Sequence, residues 1–193
     1  MKRKTLSRRN FIAGAAAAGA TILSSALPAA AQEKTMKKTF TILHTNDMHS
    51  NFIGMGPASD YTPFTLNDDQ TRGGYARLAT VIATRRKARS GAGPVLTLDA
   101  GDYSMGTAFA AASREIGGEL QLMARMGYDA TTFGNHEFDL GPDGLAKSID
   151  VASKAGKIPA VLSSNSDFSA NDSTLTDLRQ LSKAGLIRRY LVI

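Results

Sequence analysis

Short apolar runs that each break off into a polar, glycine-bearing segment set the tightest limit on what this chain can fold into. Thr39-Phe40-Thr41-Ile42-Leu43-His44, Val95-Leu96-Thr97-Leu98, Ala130-Thr131-Thr132-Phe133 and Pro159-Ala160-Val161-Leu162 are rich in β-branched, aliphatic and aromatic residues, the signature of strands. Helical periodicity fills the spaces between them. Beyond Gly73-Gly74, Leu78, Val81 and Ile82 recur at helical spacing, and Arg85, Arg86, Lys87 and Arg89 close the segment as a solvated cationic end that suits the helix dipole. A second helical stretch covers roughly 118–126, with Leu120, Met123 and Ala124 on its apolar face, and a third spans about 142–155. Residues 50–72 show no period and read as a long loop, and Leu186 to Ile193 reads as the start of a further strand. Strands alternating with helices place the chain in the α/β class. Its 193 residues suffice for one core.

The polar motifs share one position in this scheme. Asp47 and His49, then Asp102, then Asn135 and His136 each follow the C-terminal end of an expected strand, the edge where α/β sheets bind ligands. In an extended segment positions i and i+2 point the same way, so Asp47 and His49 can reach one ion. A carboxylate with an imidazole suits Zn, Mn or Fe better than Ca. Gly101 allows the sharp turn that brings Asp102 to the same point. A lone Asp-x-His is usually a surface feature, and a Gly-Asp pair after a strand is more often a plain turn. The order Asp-x-His, Gly-Asp, Gly-Asn-His-Glu, each after its own strand, is what carries weight. The absence of cysteine excludes disulfides, thiolate metal sites and a cysteine nucleophile.

This ordered set resembles the calcineurin-like metallophosphoesterase superfamily. The residues around it, Thr41-Ile42-Leu43-His44-Thr45-Asn46-Asp47-Met48-His49, Gly73-Gly74-Tyr75-Ala76-Arg77, Leu98-Asp99-Ala100-Gly101-Asp102, and Gly127-Tyr128-Asp129 leading to Gly134-Asn135-His136-Glu137-Phe138-Asp139, are similar to the bacterial 5′-nucleotidase and UDP-sugar hydrolase branch. The resemblance implies an α/β/β/α sandwich, of which these residues supply mainly the first sheet and its flanking helices. It implies hydrolysis of nucleotide phosphate esters by a water that two divalent ions, Zn, Mn or similar, activate. Asp47 and His49 would bind the first ion, Asp102 would bridge both, and Asn135 would bind the second. His136 would act on the phosphate or the leaving oxygen, and Asp139 would hold its tautomer. Small nucleotides, and not nucleic acid, are the implied partners. The alternatives are a 2′,3′-cyclic-nucleotide phosphodiesterase, a UDP-sugar hydrolase, or an inactive exported fragment. The fragment reading has its own ground: the family pattern needs three later histidines, and this chain has three His in all, at 44, 49 and 136. Residues 32–193 are therefore expected to be the N-terminal portion of a truncated phosphoesterase domain. Of the neighbouring residues, His44 is expected to be packed or to stand behind the ligands rather than be one, Arg77 to form a buried ion pair, and Asn46, Asp99 and Glu137 to orient loops and ligands through hydrogen bonds.

Charge marks the N-terminus as an address. Five of the 23 Lys and Arg lie in the first nine residues and all 17 acids lie beyond residue 31, so the formal charge of +6 belongs to a basic tail and not to a nucleic-acid surface. A mostly apolar run from Phe11 to Leu27 and the small residues Ala29, Ala30 and Ala31 complete a secretory signal over 1–31. Ser7-Arg8-Arg9-Asn10-Phe11-Ile12 resembles the twin-arginine motif, which implies the twin-arginine export machinery, a periplasmic destination and no stable membrane anchor after cleavage. A general secretory signal with two chance arginines is the other reading. A spanning anchor needs about 20 strongly apolar residues, and this Ala- and Gly-rich run is only weakly hydrophobic.

Overall fold

The computed structural model describes residues 38–56 and 70–193. The leader over 1–31 lies outside them, as does the middle of the expected loop. Met55 and Arg72 close the described ends of that loop with one antiparallel bridge. Five strands, β1 (Thr41–Thr45), β2 (Val95–Asp99), β3 (Ala130–Thr131), β4 (Ala160–Leu162) and β5 (Ile187–Arg188), form one parallel sheet in the order β1-β2-β3-β4-β5. The helices are α1 (Tyr75–Arg89), α2 (Ser113–Ile116), α3 (Gly118–Met126), α4 (Gly141–Ala155) and α5 (Thr176–Lys183). No described helix is long and apolar enough to cross a membrane.

Strand order explains the layering. Each connection steps to the next parallel neighbour in the same direction, and right-handed crossovers then put the described helices on one face. Accordingly α1 packs on α3, α3 on α4, and α4 on α5. The core fills the space between this layer and the sheet: Ile82 from α1, Leu120 and Met123 from α3, Leu145 and Ile149 from α4, Val161 from β4, and Leu178 from α5 are all buried. Met123, expected on the apolar face of α3, is core, and Met126 joins it.

Several local expectations change. Val81 is 54% exposed, because the buried face of α1 runs through Tyr75, Leu78 and Ile82 to Arg86. Arg86 is not a solvated helix end. It donates to Thr97 Oγ1, to the Gly127 carbonyl and to Asp129 Oδ2 at 2.7–3.1 Å, tying α1 to β2 and to the turn before β3. His44 is exposed, not packed, because it shares the helix-free sheet face with Ile42, itself 51% exposed. Arg77 is exposed too, not buried, and it donates to the Gly73 carbonyl at 3.0 Å. The expected strand at Leu186 to Ile193 shortens to Ile187–Arg188, and the polar stretch before it contains α5.

Candidate metal centre

Beyond Thr45 and Asp99 the regular ladder ends, but β1 and β2 stay tied. Ala100 N–H donates to the Thr45 carbonyl, Asp47 N–H to Gly101, His49 N–H to Asp102 and Ser50 N–H to Tyr103, all at 2.9–3.0 Å. These bonds hold the two loops in register where they leave the sheet. Asp47, His49, Ser50 and Asp102 take φ of 52°, 47°, 49° and 53°, left-handed values that non-glycine residues adopt at a cost of about 1–3 kcal/mol each. Those turns bring the side chains of Asp47, His49 and Asp102 together, with their ligand atoms all within 4.8 Å of one another. His49 Nε2 lies 3.6 Å from Asp47 Oδ1, and Asn46 Nδ2 donates to Asp47 Oδ2. Two carboxylates and an imidazole at this separation fit a divalent ion of the Zn, Mn or Fe kind.

The loop after β3 meets the same point. His136 N–H donates to Asp102 Oδ1 at 3.0 Å, and the His136 and His49 rings stand edge to face with centroids 5.2 Å apart. Asn135 precedes His136 and is exposed at this edge. His136 Nδ1 lies 2.7 Å from Asp139 Oδ2. That hydrogen bond is the main cause that raises the His136 pKa; desolvation opposes it, and the charges of Asp139, Asp102 and Glu137 add to it. Gly134 is glycine for want of space: a Cβ there would stand 1.9 Å from Asp102 Oδ1. Gly101, at φ 95°, packs its backbone on the same loop, and a Cβ would lie 2.5 Å from Gly134 N.

Buried acids support these loops. Glu137 Oε2 accepts from Asp102 N–H and Gly134 N–H, while its Oε1 accepts from Ser104 N–H and Ser104 Oγ, at 2.6–3.0 Å. One 5%-exposed carboxylate thus fastens the Asp102 loop to the Asn135 loop. Asp99 accepts from Thr45 Oγ1, Thr131 Oγ1 and Gly101 N–H. Burial raises its pKa even so, against those bonds. Both acids orient loops as their sequence positions suggested. Ser50, Glu119 and Tyr103 had no motif to announce them, and Tyr75 stood only within the run 73–77. Ser50 Oγ donates to Glu119 Oε1 at 2.7 Å, and Tyr75, Tyr103 and Glu119 are almost fully buried near it. Burial is the main cause that lifts both tyrosine phenols well above their ordinary pKa, with Glu119 adding to it.

The chain is similar to known proteins. The sequence pattern of the calcineurin-like phosphoesterase family matches residues 40–187. The chain is 41% identical over 126 residues to a 5′-nucleotidase from Bos taurus, covering 65% of this chain and 20% of the relative. It is 40% identical over 143 residues to the 5′-nucleotidase of Rattus norvegicus, covering 74% and 23%. Among solved structures it resembles a 5′-nucleotidase precursor from Thermus thermophilus, with a TM-score of 0.55 and 33% identity over 80% of this chain and 26% of that one. An NAD nucleotidase from Haemophilus influenzae gives a TM-score of 0.50 at 32% identity over 67% and 24%. The chain spans about a fifth to a quarter of the length of these relatives.

Proposed function

Because this chain belongs to the calcineurin-like phosphoesterase family, we propose that the protein hydrolyses nucleotide phosphate esters, as a 5′-nucleotidase does. The observation that carries the reading is the convergence of Asp47, His49 and Asp102 at the C-terminal edge of β1 and β2, with the His136–Asp139 pair beside them. Asp47, His49 and Asp102 would hold one divalent ion, and Asp102 with Asn135 would contribute to a second. Bound there, such ions supply the positive charge that acidifies water and neutralises phosphate oxygens.

The chain's own residues do the rest. Asp139 keeps the Nδ1 side of His136 engaged, so Nε2 is the nitrogen that faces substrate. Its raised pKa leaves more of the ring protonated near neutrality, which suits donation of the Nε2 proton to the phosphate or the leaving ester oxygen. Glu137 and the left-handed turns hold the ligand atoms in place beforehand, so little reorganisation accompanies the reaction.

Residues 1–31 would export the protein to the periplasm through the twin-arginine route, and residues 32–193 would form the first part of the catalytic domain. The test is phosphate release from a nucleoside 5′-monophosphate by the complete protein with Mn or Zn, beside a 2′,3′-cyclic nucleotide and a UDP-sugar. Turnover of the monophosphate that a chelator abolishes is expected. Turnover of none of the three would overturn the reading, and preference for either of the others would move it to that substrate.

A further inference from the structure

Ser50 follows His49 in the left-handed turn, and every polar group it has is engaged. Its N–H donates to the Tyr103 carbonyl, its carbonyl accepts from Thr107 Oγ1 at 2.7 Å, and its hydroxyl donates to Glu119 Oε1 at 2.7 Å. Ser50 is 0% exposed and Glu119 1% exposed. Glu119 lies in the first turn of α3, so this one bond reaches from the helix layer to the loop that carries His49. The carboxylate is a poor choice for packing alone. Its second oxygen, Oε2, has no hydrogen-bond partner among the described residues, and a buried acid satisfied on one side is less favourable than an apolar side chain of the same volume. What the carboxylate adds is a strong acceptor aimed at the hydroxyl next to His49.

We propose that Glu119 is a positioning residue: by holding the Ser50 hydroxyl it locks the left-handed turn at His49 and Ser50, and so sets the His49 imidazole against Asp47 and Asp102. The inference rests on the reading of those three residues as a metal centre, but its main test does not. A turn held against its own conformational preference opens when the restraint goes, while the sheet stays closed.

Peptide-resolved hydrogen exchange on the chain separates the two. Glu119→Met keeps the volume and removes the acceptor; exchange over 47–51 should quicken by about 10–100-fold, the range for losing a hydrogen bond to a charged group, with β1 and β2 unchanged. Glu119→Gln, which keeps an acceptor oxygen, should recover most of the protection, and Ser50→Ala should repeat the local loss from the other side. Unchanged exchange over 47–51 in Glu119→Met and Ser50→Ala would overturn the proposal, as would a uniform rise across the sheet. If Glu119→Met does not fold, Ser50→Ala decides alone by the same two results. Mn(II) titration of the same proteins gives the second readout: affinity should fall with Glu119→Met and return with Glu119→Gln. Local opening as expected, with no Mn(II) bound by the unaltered chain, would leave the turn assignment standing and remove the metal-centre reading.

Discussion

Gly134 shows how little freedom the centre has at the scale of one residue. A methyl there would occupy the position of the Asp102 carboxylate, so Gly134→Ala must displace either that carboxylate or the loop. The expected result is a loss of about 1–3 kcal/mol in urea unfolding, the range for overpacking, together with weakened Mn(II) binding. His136 makes a second case. Its pKa is raised first by the bond to Asp139, so in the metal-free chain Asp139→Asn should lower it, as followed by NMR of the imidazole. The sign follows from linkage: a histidine raised in the folded state adds stability below its unfolded pKa and loses that contribution as pH rises through the folded value. Asp139→Asn should flatten that dependence, and an unmoved His136 titration would show that the contact is not held in solution. The residues proposed to carry the chemistry were legible because each follows a strand in a recognisable motif. Ser50 and Glu119 were not, since their meeting joins positions 69 apart that no local pattern connects.

At the scale of elements, Glu137 is the joint between two loops. Each of its oxygens accepts two hydrogen bonds, so Glu137→Gln turns an amide NH₂ toward donors whichever way it lies. Denaturant titration should show a loss of about 2–4 kcal/mol, from broken bonds to a buried charged group. A loss below about 0.5 kcal/mol, the range of a surface substitution, would mean the clamp is not made. The strands and the three longer helices were readable from period and length. The 118–126 stretch became α3 over the same residues, because its apolar positions meet the core of the layer. Helix α5 was hidden because its buried face is only Leu178 and Leu181 among polar residues. Strand β3 is shorter than its apolar run, for Phe133 leaves the ladder where the Gly101 backbone packs against it. Arg86 read as solvent-facing because its partner Asp129 lies 43 positions away.

The whole molecule has one face of its sheet under helices and the other, with Ile42 and His44, free of any described helix. The matched relatives are about three times as long as this chain, which covers 20–26% of them. The 193 residues alone hold three histidines, and one of them, His44, lies on the helix-free sheet face. Their turnover of a nucleoside monophosphate should therefore be far below that of a full-length 5′-nucleotidase relative, since Asp102 and Asn135 are too few to retain a second ion against water. Comparable turnover, with two ions bound per chain, would refute this. Export is tested separately: Arg8→Lys with Arg9→Lys should trap the precursor in the cytoplasm, and unchanged export would exclude the twin-arginine route. The central claim is that Asp47, His49 and Asp102 form a metal centre, and Mn(II) titration of this chain followed by electron paramagnetic resonance tests it most directly. One ion should bind per unaltered chain, and Asp102→Asn should weaken it by at least about 10-fold while circular dichroism stays the same. Equal binding by both proteins, or none by the unaltered chain, would contradict the account.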